Sequence, residues 1–211
     1  MEAILLDPAK KRAAAVATAE AFYNYPLFRG YFPEEKRWRR VMVPYFEFWI
    51  TAALRYGLAY TTPDLAGVSL WLPPGKAHVT FWEYIAVGGA RQIALMGMKP
   101  FLTQMKYDSY AEKIHGELVP EPHWYLWGLA VHPGFQNQGA GSRLMQPILE
   151  QADLHNLPCY LETHVEQNIP YYQKRGFAVA RSIKPPGLDI PLYCMVRPAG
   201  AAGSRGARLP R

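Results

Sequence analysis

A glycine-bearing loop between two apolar segments is the first part of this sequence that could bind a ligand. Glycines let a backbone approach a ligand closely, and a helix N-terminus adds unpaired N–H donors and a partial positive charge. The pattern therefore predicts either a phosphate-binding loop or an ordinary turn before a helix. The loop follows the apolar run 124–131 and consists of Gln136, Asn137, Gln138, Gly139, Ala140, Gly141 and Ser142.

Two familiar nucleotide signatures do not fit this loop. A P-loop needs Gly-Lys-Ser/Thr, but Gly141 is followed by Ser142 and Arg143. The dinucleotide fingerprint needs a small residue three positions after Gly141, where Leu144 stands. The loop, if it binds phosphate, serves a different phosphate ligand.

Glu162 and Tyr172 are the side chains best suited to proton transfer. Glu162 interrupts an apolar strand, and burial of its carboxylate would raise its pKa toward the range of a general base. A carboxylate that faces solvent or binds a substrate ammonium is the alternative, and His164, on the same strand face, is the reserve base. Tyr172 carries a phenol that stays protonated at neutral pH; packing alone is its alternative role, and Tyr171 is its neighbour.

These residues together resemble the GNAT (GCN5-related) N-acetyltransferase superfamily, over roughly residues 124–179. The elements that carry the resemblance are Val131, Pro133, Gln136, Gly139 and Gly141, followed by Leu161-Glu162-Thr163, Asn168, Tyr172 and Gly176-Phe177. Further residues are similar to the puromycin N-acetyltransferase branch: Ala21-Phe22, Tyr25-Pro26, Trp71-Leu72-Pro73-Pro74, Pro147 and Tyr193-Cys194-Met195.

The resemblance implies acetyl-CoA as cosubstrate, no metal, and specific roles for the candidate residues. Tyr172 would be the general acid that protonates the coenzyme sulfur, and Glu162 the general base, acting through a water molecule. Asn168 would bond the pantetheine arm, although it could equally cap a helix. Arg143 and Lys174 could reach phosphates, but solvated surface charge is the commoner role. The implied coenzyme-binding residues are Leu129, Ala130, Val131, Gln136, Asn137, Gln138, Gly139, Ala140, Gly141, Ser142, Asn168 and Tyr172.

The resemblance also implies an amine acceptor, which the aromatic segment 22–49 would help to enclose. We expect a primary amine of a small molecule, with an aminonucleoside or another amine antibiotic as one candidate. A protein or peptide N-acetyltransferase and a non-catalytic acyl-CoA-binding module are the alternatives. Nucleic acid is not an expected partner, because the basic residues form no stripe.

The elements that must position these residues indicate an α/β protein. Helical patterns cover 9–23, 33–56 with a kink at Pro44, most of 78–118 with interruptions near Gly88-Gly89 and Pro100, 141–152 and 170–174. Apolar runs predict strands at 58–62, 65–72, 124–131, 159–161, 177–180 and 192–196. The resemblance implies a mixed, mostly antiparallel twisted sheet flanked by helices, with two central strands splayed around the coenzyme. We expect one domain over 1–197 and a flexible tail over 198–211.

Composition excludes several other classes of protein. Half of the 211 residues are hydrophobic and 19% are charged, which is typical of globular chains. No apolar run is long enough to span a membrane, and no signal peptide is evident, so we expect a cytoplasmic protein without a membrane partner. Cys159 and Cys194 are expected to be free and buried, and the chain to be a monomer or homodimer.

Overall fold

Seven strands form one mixed sheet in the computed structural model, which describes residues 2–201. The strand order is β1-β2-β3-β4-β5-β7-β6, and every neighbouring pair is antiparallel except β4 and β5. The strands are β1 (Ile4–Leu5), β2 (Leu58–Thr61), β3 (Gly67–Leu72), β4 (Trp124–Val131), β5 (Cys159–Thr163), β6 (Ala178–Ile183) and β7 (Leu192–Arg197).

Helices cover both faces of the sheet. They are α1 (Lys11–Ala21), α2 (Pro26–Tyr31), α3 (Glu35–Tyr56), α4 (Phe81–Ala86), α5 (Gly89–Met96), α6 (Met98–Leu118), α7 (Ala140–Leu154) and α8 (Ile169–Gln173). Helices α1 and α3 pack against Val68 and Leu70, while α7 packs against Trp71 and Leu161. Because successive strand residues point to opposite faces, this division places α7 on one face and the N-terminal helices on the other.

The fold predicted from the sequence is confirmed, with differences in individual elements. Helix α3 runs through Pro44 as one helix, over nearly the predicted range, and the kink at Pro44 stays a prediction. The predicted interruption near Gly88-Gly89 is confirmed, since α4 ends at Ala86 and α5 begins at Gly89. The second break falls at Gly97, whose φ of +79° favours glycine, and not at Pro100, through which α6 continues. Strand β1 and helix α2 were not predicted from the sequence, since two strand residues and six aromatic-rich helix residues are too short to show a period.

Two features predicted from composition can be compared with the structure. Cys159 and Cys194 are free and buried, as expected. In the part of the chain that the structure describes, no helix is long and apolar enough to cross a membrane. Of the predicted tail 198–211, residues 202–211 lie outside the described residues.

Candidate active site

Strands β4 and β5 separate after three residue pairs. Trp124, Tyr125 and Leu126 pair with Cys159, Tyr160 and Leu161, and within residues 2–201 the remainder of β4 has no ladder partner on this side. On its other side β4 stays paired with β3 as far as Val131. The predicted splayed strands are therefore present, and backbone groups of Leu129, Ala130 and Val131 border the gap.

A β-bulge redirects β4 where the gap begins. Leu70 of β3 pairs with Gly128, and the next residue, Trp71, pairs with Leu126, so Trp127 is the extra residue. A bulge bends a strand and turns a side chain away from its regular direction. A continuous apolar run such as 124–131 predicts a strand buried on both faces, but five of the eight residues of β4 are only partly buried, because one face borders a cavity.

A cavity of about 280 Å³ opens beside the gap, and it contains candidate residues from both halves of the chain. Leu129, Ala130, Glu162, His164, Asn168 and Tyr172 line it, whereas the glycine loop does not. Segment 22–49 supplies part of its aromatic lining, and its role around an acceptor stays a prediction; these side chains are Phe22, Tyr25, Phe28, Tyr45, Phe46 and Trp49. Tyr31 and Phe32 belong to the core instead.

The glycine loop has the backbone geometry expected of an anion-binding turn. Asn137 and Gly139 have φ values of +62° and +77°, and α7 begins immediately afterwards at Ala140. Such left-handed positions turn successive N–H groups toward one point. Arg143 donates to the Gln138 carbonyl at 3.0 Å, and its Nε is buried without a hydrogen-bond partner among residues 2–201.

Gly141 holds the loop against α8. A Cβ on Gly141 would lie 2.5 Å from the Tyr171 hydroxyl, so no larger residue fits without movement. Arg175 stacks 3.6 Å from the centre of the Tyr171 ring and also bonds Ser142. These contacts direct Tyr171 toward the loop, whereas Tyr172 lines the cavity. The structure thus separates two neighbouring tyrosines that the sequence left as alternatives.

Glu162 lies at the point where β5 leaves β4. Tyr160 donates a hydrogen bond to its carboxylate at 2.8 Å. Burial raises the pKa of Glu162 to about 7, more than the hydrogen bonds from Tyr160 and Tyr125 lower it. At neutral pH the carboxylate is therefore poised between its two protonation states, which suits a general base.

His164, the reserve base, has both ring nitrogens occupied. The Tyr25 hydroxyl bonds Nδ1 at 3.0 Å and also accepts the backbone N–H of His164 at 3.0 Å. The Tyr107 hydroxyl bonds Nε2. Burial lowers the pKa of His164 to about 3. This imidazole joins α2, α6 and β5, and the geometry favours Glu162 over it as the base.

Tyr172 and Asn168 face the same cavity from α8 and the turn before it. Burial raises the pKa of Tyr172 well above its usual value, so its hydroxyl stays protonated. The Asn168 side chain makes no capping bond; its Nδ2 donates to the Thr163 hydroxyl at 3.2 Å. The helix-cap alternative for Asn168 is therefore not the role the structure records.

Helix α6 contributes residues that the sequence analysis missed. Gln104, Asp108, Glu112 and His115 line the cavity at intervals of three or four positions, one face of a helix. The signal was present in the sequence, because polar residues recur there where a core-facing helix would carry apolar ones. Lys174 lies outside this cavity and is exposed. Among residues 2–201 no group of three or more His, Cys, Asp or Glu side chains could hold a metal ion.

The arrangement can perform acyl transfer between two molecules that meet at the strand gap. Unpaired backbone of β4 can polarise a carbonyl, Glu162 can take a proton from an attacking group, and Tyr172 can donate one to a leaving group. The aromatic wall would hold the attacking molecule.

Comparisons with known proteins agree with this chemistry. The model of the acetyltransferase (GNAT) family matches residues 101–177. An uncharacterized N-acetyltransferase of Schizosaccharomyces pombe is 27% identical over 201 residues, which are 88% of this chain and 78% of the relative. Neither match reaches the puromycin N-acetyltransferase branch, which stays a prediction.

Two solved structures share the fold. One, from Corynebacterium glutamicum, is described as histone acetyltransferase HPA2 and related acetyltransferase; it has a TM-score of 0.71 and 21% identity, covering 94% of this chain and 97% of its own. The other, arylalkylamine N-acetyltransferase 2 of Aedes aegypti, has a TM-score of 0.63 and 12% identity, covering 93% and 97%. The match to part of the family model, the 27% identical relative and the shared fold thus make this chain similar to N-acetyltransferases of the acetyltransferase (GNAT) family.

Proposed function

We propose that this chain transfers the acetyl group of acetyl-CoA to a primary amine of a small molecule. The observation that carries the proposal is the aromatic cavity that opens directly onto the gap between β4 and β5. The gap supplies unpaired backbone, and the cavity supplies Glu162 and Tyr172. An amine held in the cavity would face the proposed path of the thioester.

The coenzyme would bind along the gap and the glycine loop. Backbone N–H groups around Asn137 and Gly139 suit a pyrophosphate, and the buried Nε of Arg143 is a further donor beside them. We propose that the coenzyme contacts the residues that the resemblance implies, namely Leu129, Ala130, Val131, Gln136, Asn137, Gln138, Gly139, Ala140, Gly141, Ser142, Asn168 and Tyr172.

The proposed reaction needs three proton and charge adjustments. Glu162 accepts the proton of the amine, directly or through water, because its pKa of about 7 leaves much of it ionised at neutral pH. Backbone donors of β4 stabilise the carbonyl oxygen as the amine attacks and the carbon–sulfur bond breaks. Tyr172, whose buried hydroxyl stays protonated, gives its proton to the departing sulfur.

A small acceptor is favoured over an extended peptide by the residues that bound the cavity. Residues 77–79 line it, and His78 bonds Glu112 of α6 at 2.9 Å. This contact bridges two elements on the cavity wall, where an extended peptide would need an open groove. A protein or peptide acceptor is the second candidate.

The proposal is tested by incubating the purified protein with acetyl-CoA and a panel of small amines, puromycin included, and of N-terminal peptides, and by recording free thiol release. We expect release that depends on the amine and that falls in Glu162→Gln and Tyr172→Phe. Release with N-terminal peptides alone would establish the peptide alternative. Coenzyme binding with no release for any acceptor would indicate a binding module, and absent coenzyme binding would refute the proposal.

A further inference from the structure

The cavity lining is acidic although the whole chain is basic. Its charged residues are Asp108, Glu112 and Glu162, and no Lys or Arg lines it within residues 2–201. The sequence as a whole carries a net charge of +6. The local charge is therefore opposite in sign to that of the protein, which favours a cationic ligand.

Each of these carboxylates has a different neighbour. Glu162 accepts from Tyr160, and Glu112 pairs with His78. Asp108 accepts from the neutral amide of Gln104 at 3.2 Å. Among residues 2–201 no cation pairs with Asp108.

The ionised form of Asp108 is destabilised by neighbouring carboxylates. Glu112 lies four positions later on the same helix face, and like charges at that spacing repel. Asp108 is exposed overall, but its carboxylate lines the cavity, where desolvation and repulsion from Glu162 and Glu112 raise its pKa to about 7. The Tyr45 hydroxyl donates to Gln104 at 3.2 Å, so the amide that bonds Asp108 is itself fixed. A cation bound beside Asp108 would relieve the repulsion.

His115 provides an independent sign that the ligand donates hydrogen bonds. His123 Nδ1 lies 2.6 Å from the carbonyl of Glu121, which can only accept, so this nitrogen carries a proton. In a neutral His123 ring Nε2 is then the acceptor, and it accepts from His115 Nε2 at 2.6 Å. Burial lowers the pKa of His115 to about 3, so the ring is neutral and its Nδ1 bears a lone pair.

This lone pair has no partner among residues 2–201, although His115 is only 2% exposed and lines the cavity. The free hydrogen-bonding capacity along this face of α6 is therefore accepting. An ammonium group, with donors and a positive charge, satisfies it, whereas a carboxylate or phosphate would be repelled.

We infer that Asp108 binds a second positively charged nitrogen of the acceptor, so that the preferred substrate is a dication with an apolar or aromatic body. The inference rests on the proposed function and deepens it. Glu162 takes the proton from the nitrogen that reacts, and Asp108 pairs with the charged nitrogen that does not react. The aromatic side chains of Phe28, Tyr45 and Trp49 enclose the body of the molecule.

Two amines that differ in one atom test the inference. One is phenethylamine with a para-dimethylaminomethyl group; the other carries a para-isobutyl group, which has the same shape without the charge. We expect wild type to favour the dication in kcat/KM by about 10- to 100-fold, as charge-assisted hydrogen bonds do. In Asp108→Asn this ratio should fall to within about threefold. Asp189→Asn, an exposed carboxylate that pairs with Lys184, is the matched control and should keep the ratio.

Binding of both amines is measured by calorimetry beside turnover, so that two failures can be told apart. Equal kcat/KM for the two amines in wild type, or a ratio that persists in Asp108→Asn, would overturn the role of Asp108 and leave the transferase intact. Dication binding that is lost in Asp108→Asn without any acetyl transfer would support the role of Asp108 and refute the proposed function. A melting curve shows whether Asp108→Asn folds; if it does not, the wild-type ratio decides.

Discussion

Removal of the Tyr160 hydroxyl should shift the pH dependence of the reaction upward. That hydroxyl donates to the ionised form of Glu162 at 2.8 Å and so lowers its pKa. A hydrogen bond to a charged group is worth about 1.5–3 kcal/mol, which corresponds to about 1–2 pH units. With Glu162 at about 7 in the wild type, Tyr160→Phe should move it to roughly 8–9. The ring that stacks 3.8 Å from His115 is kept in this variant.

The measurement is kcat/KM for one amine against pH, followed by thiol release. The amine itself ionises above this range, so it adds a constant slope to a plot of log(kcat/KM) against pH. The bend that marks the pKa of the base therefore stays visible in that plot. Tyr56→Phe, whose hydroxyl contacts the Glu83 carbonyl outside the cavity lining, is the control. A bend at the same pH in Tyr160→Phe and wild type, or one that survives in Glu162→Gln, would refute Glu162 as the titrating base.

Three further outcomes follow from the same geometry. Tyr172→Phe should lower kcat by about 10- to 1,000-fold, while Tyr171→Phe, which removes a hydroxyl outside the cavity, should change it less than threefold, roughly. Gly141→Ala should raise KM for acetyl-CoA, and adding Tyr171→Phe should restore part of it, since the new Cβ would meet the Tyr171 hydroxyl at 2.5 Å; no rescue would place the clash elsewhere. Glu162 has a folded pKa near 7 against 4.5 unfolded, so its ionisation costs stability as pH rises through that window. Glu162→Gln should therefore raise the melting temperature near pH 8, where the gain in unfolding free energy is at most about 3 kcal/mol. Near pH 4 the melting temperature should not change, and an equal gain there would contradict the assignment.

The C-terminal half could be predicted from the sequence because its signals are local. The glycine loop, the helix after it and the strand carrying Glu162 each occupy a few consecutive residues. Tyr171 and Tyr172 could not be separated in that way, since both stand on one short helix. Only the contact of Tyr171 with Gly141 decides between them.

The acceptor side depends on contacts between distant segments. In the sequence Asp108 and His115 are two polar positions of a long helix; only the structure shows that both line the cavity and that His115 is buried there. The bulge at Trp127 is equally hidden, because it is a mismatch in register between two strands. His164 seemed available as a base because its two tyrosine partners stand 57 and 139 positions away.

Those long separations have a consequence for how the molecule assembles. Tyr25 and Tyr107 can close on His164 only after large loops have lost their freedom, a cost that local contacts do not bear. The cavity should therefore form late in folding and open first when denaturant or heat is applied. Hydrogen exchange would then find α2 less protected than the central strands, and the protein would lose its hold on the amine before its hold on the coenzyme.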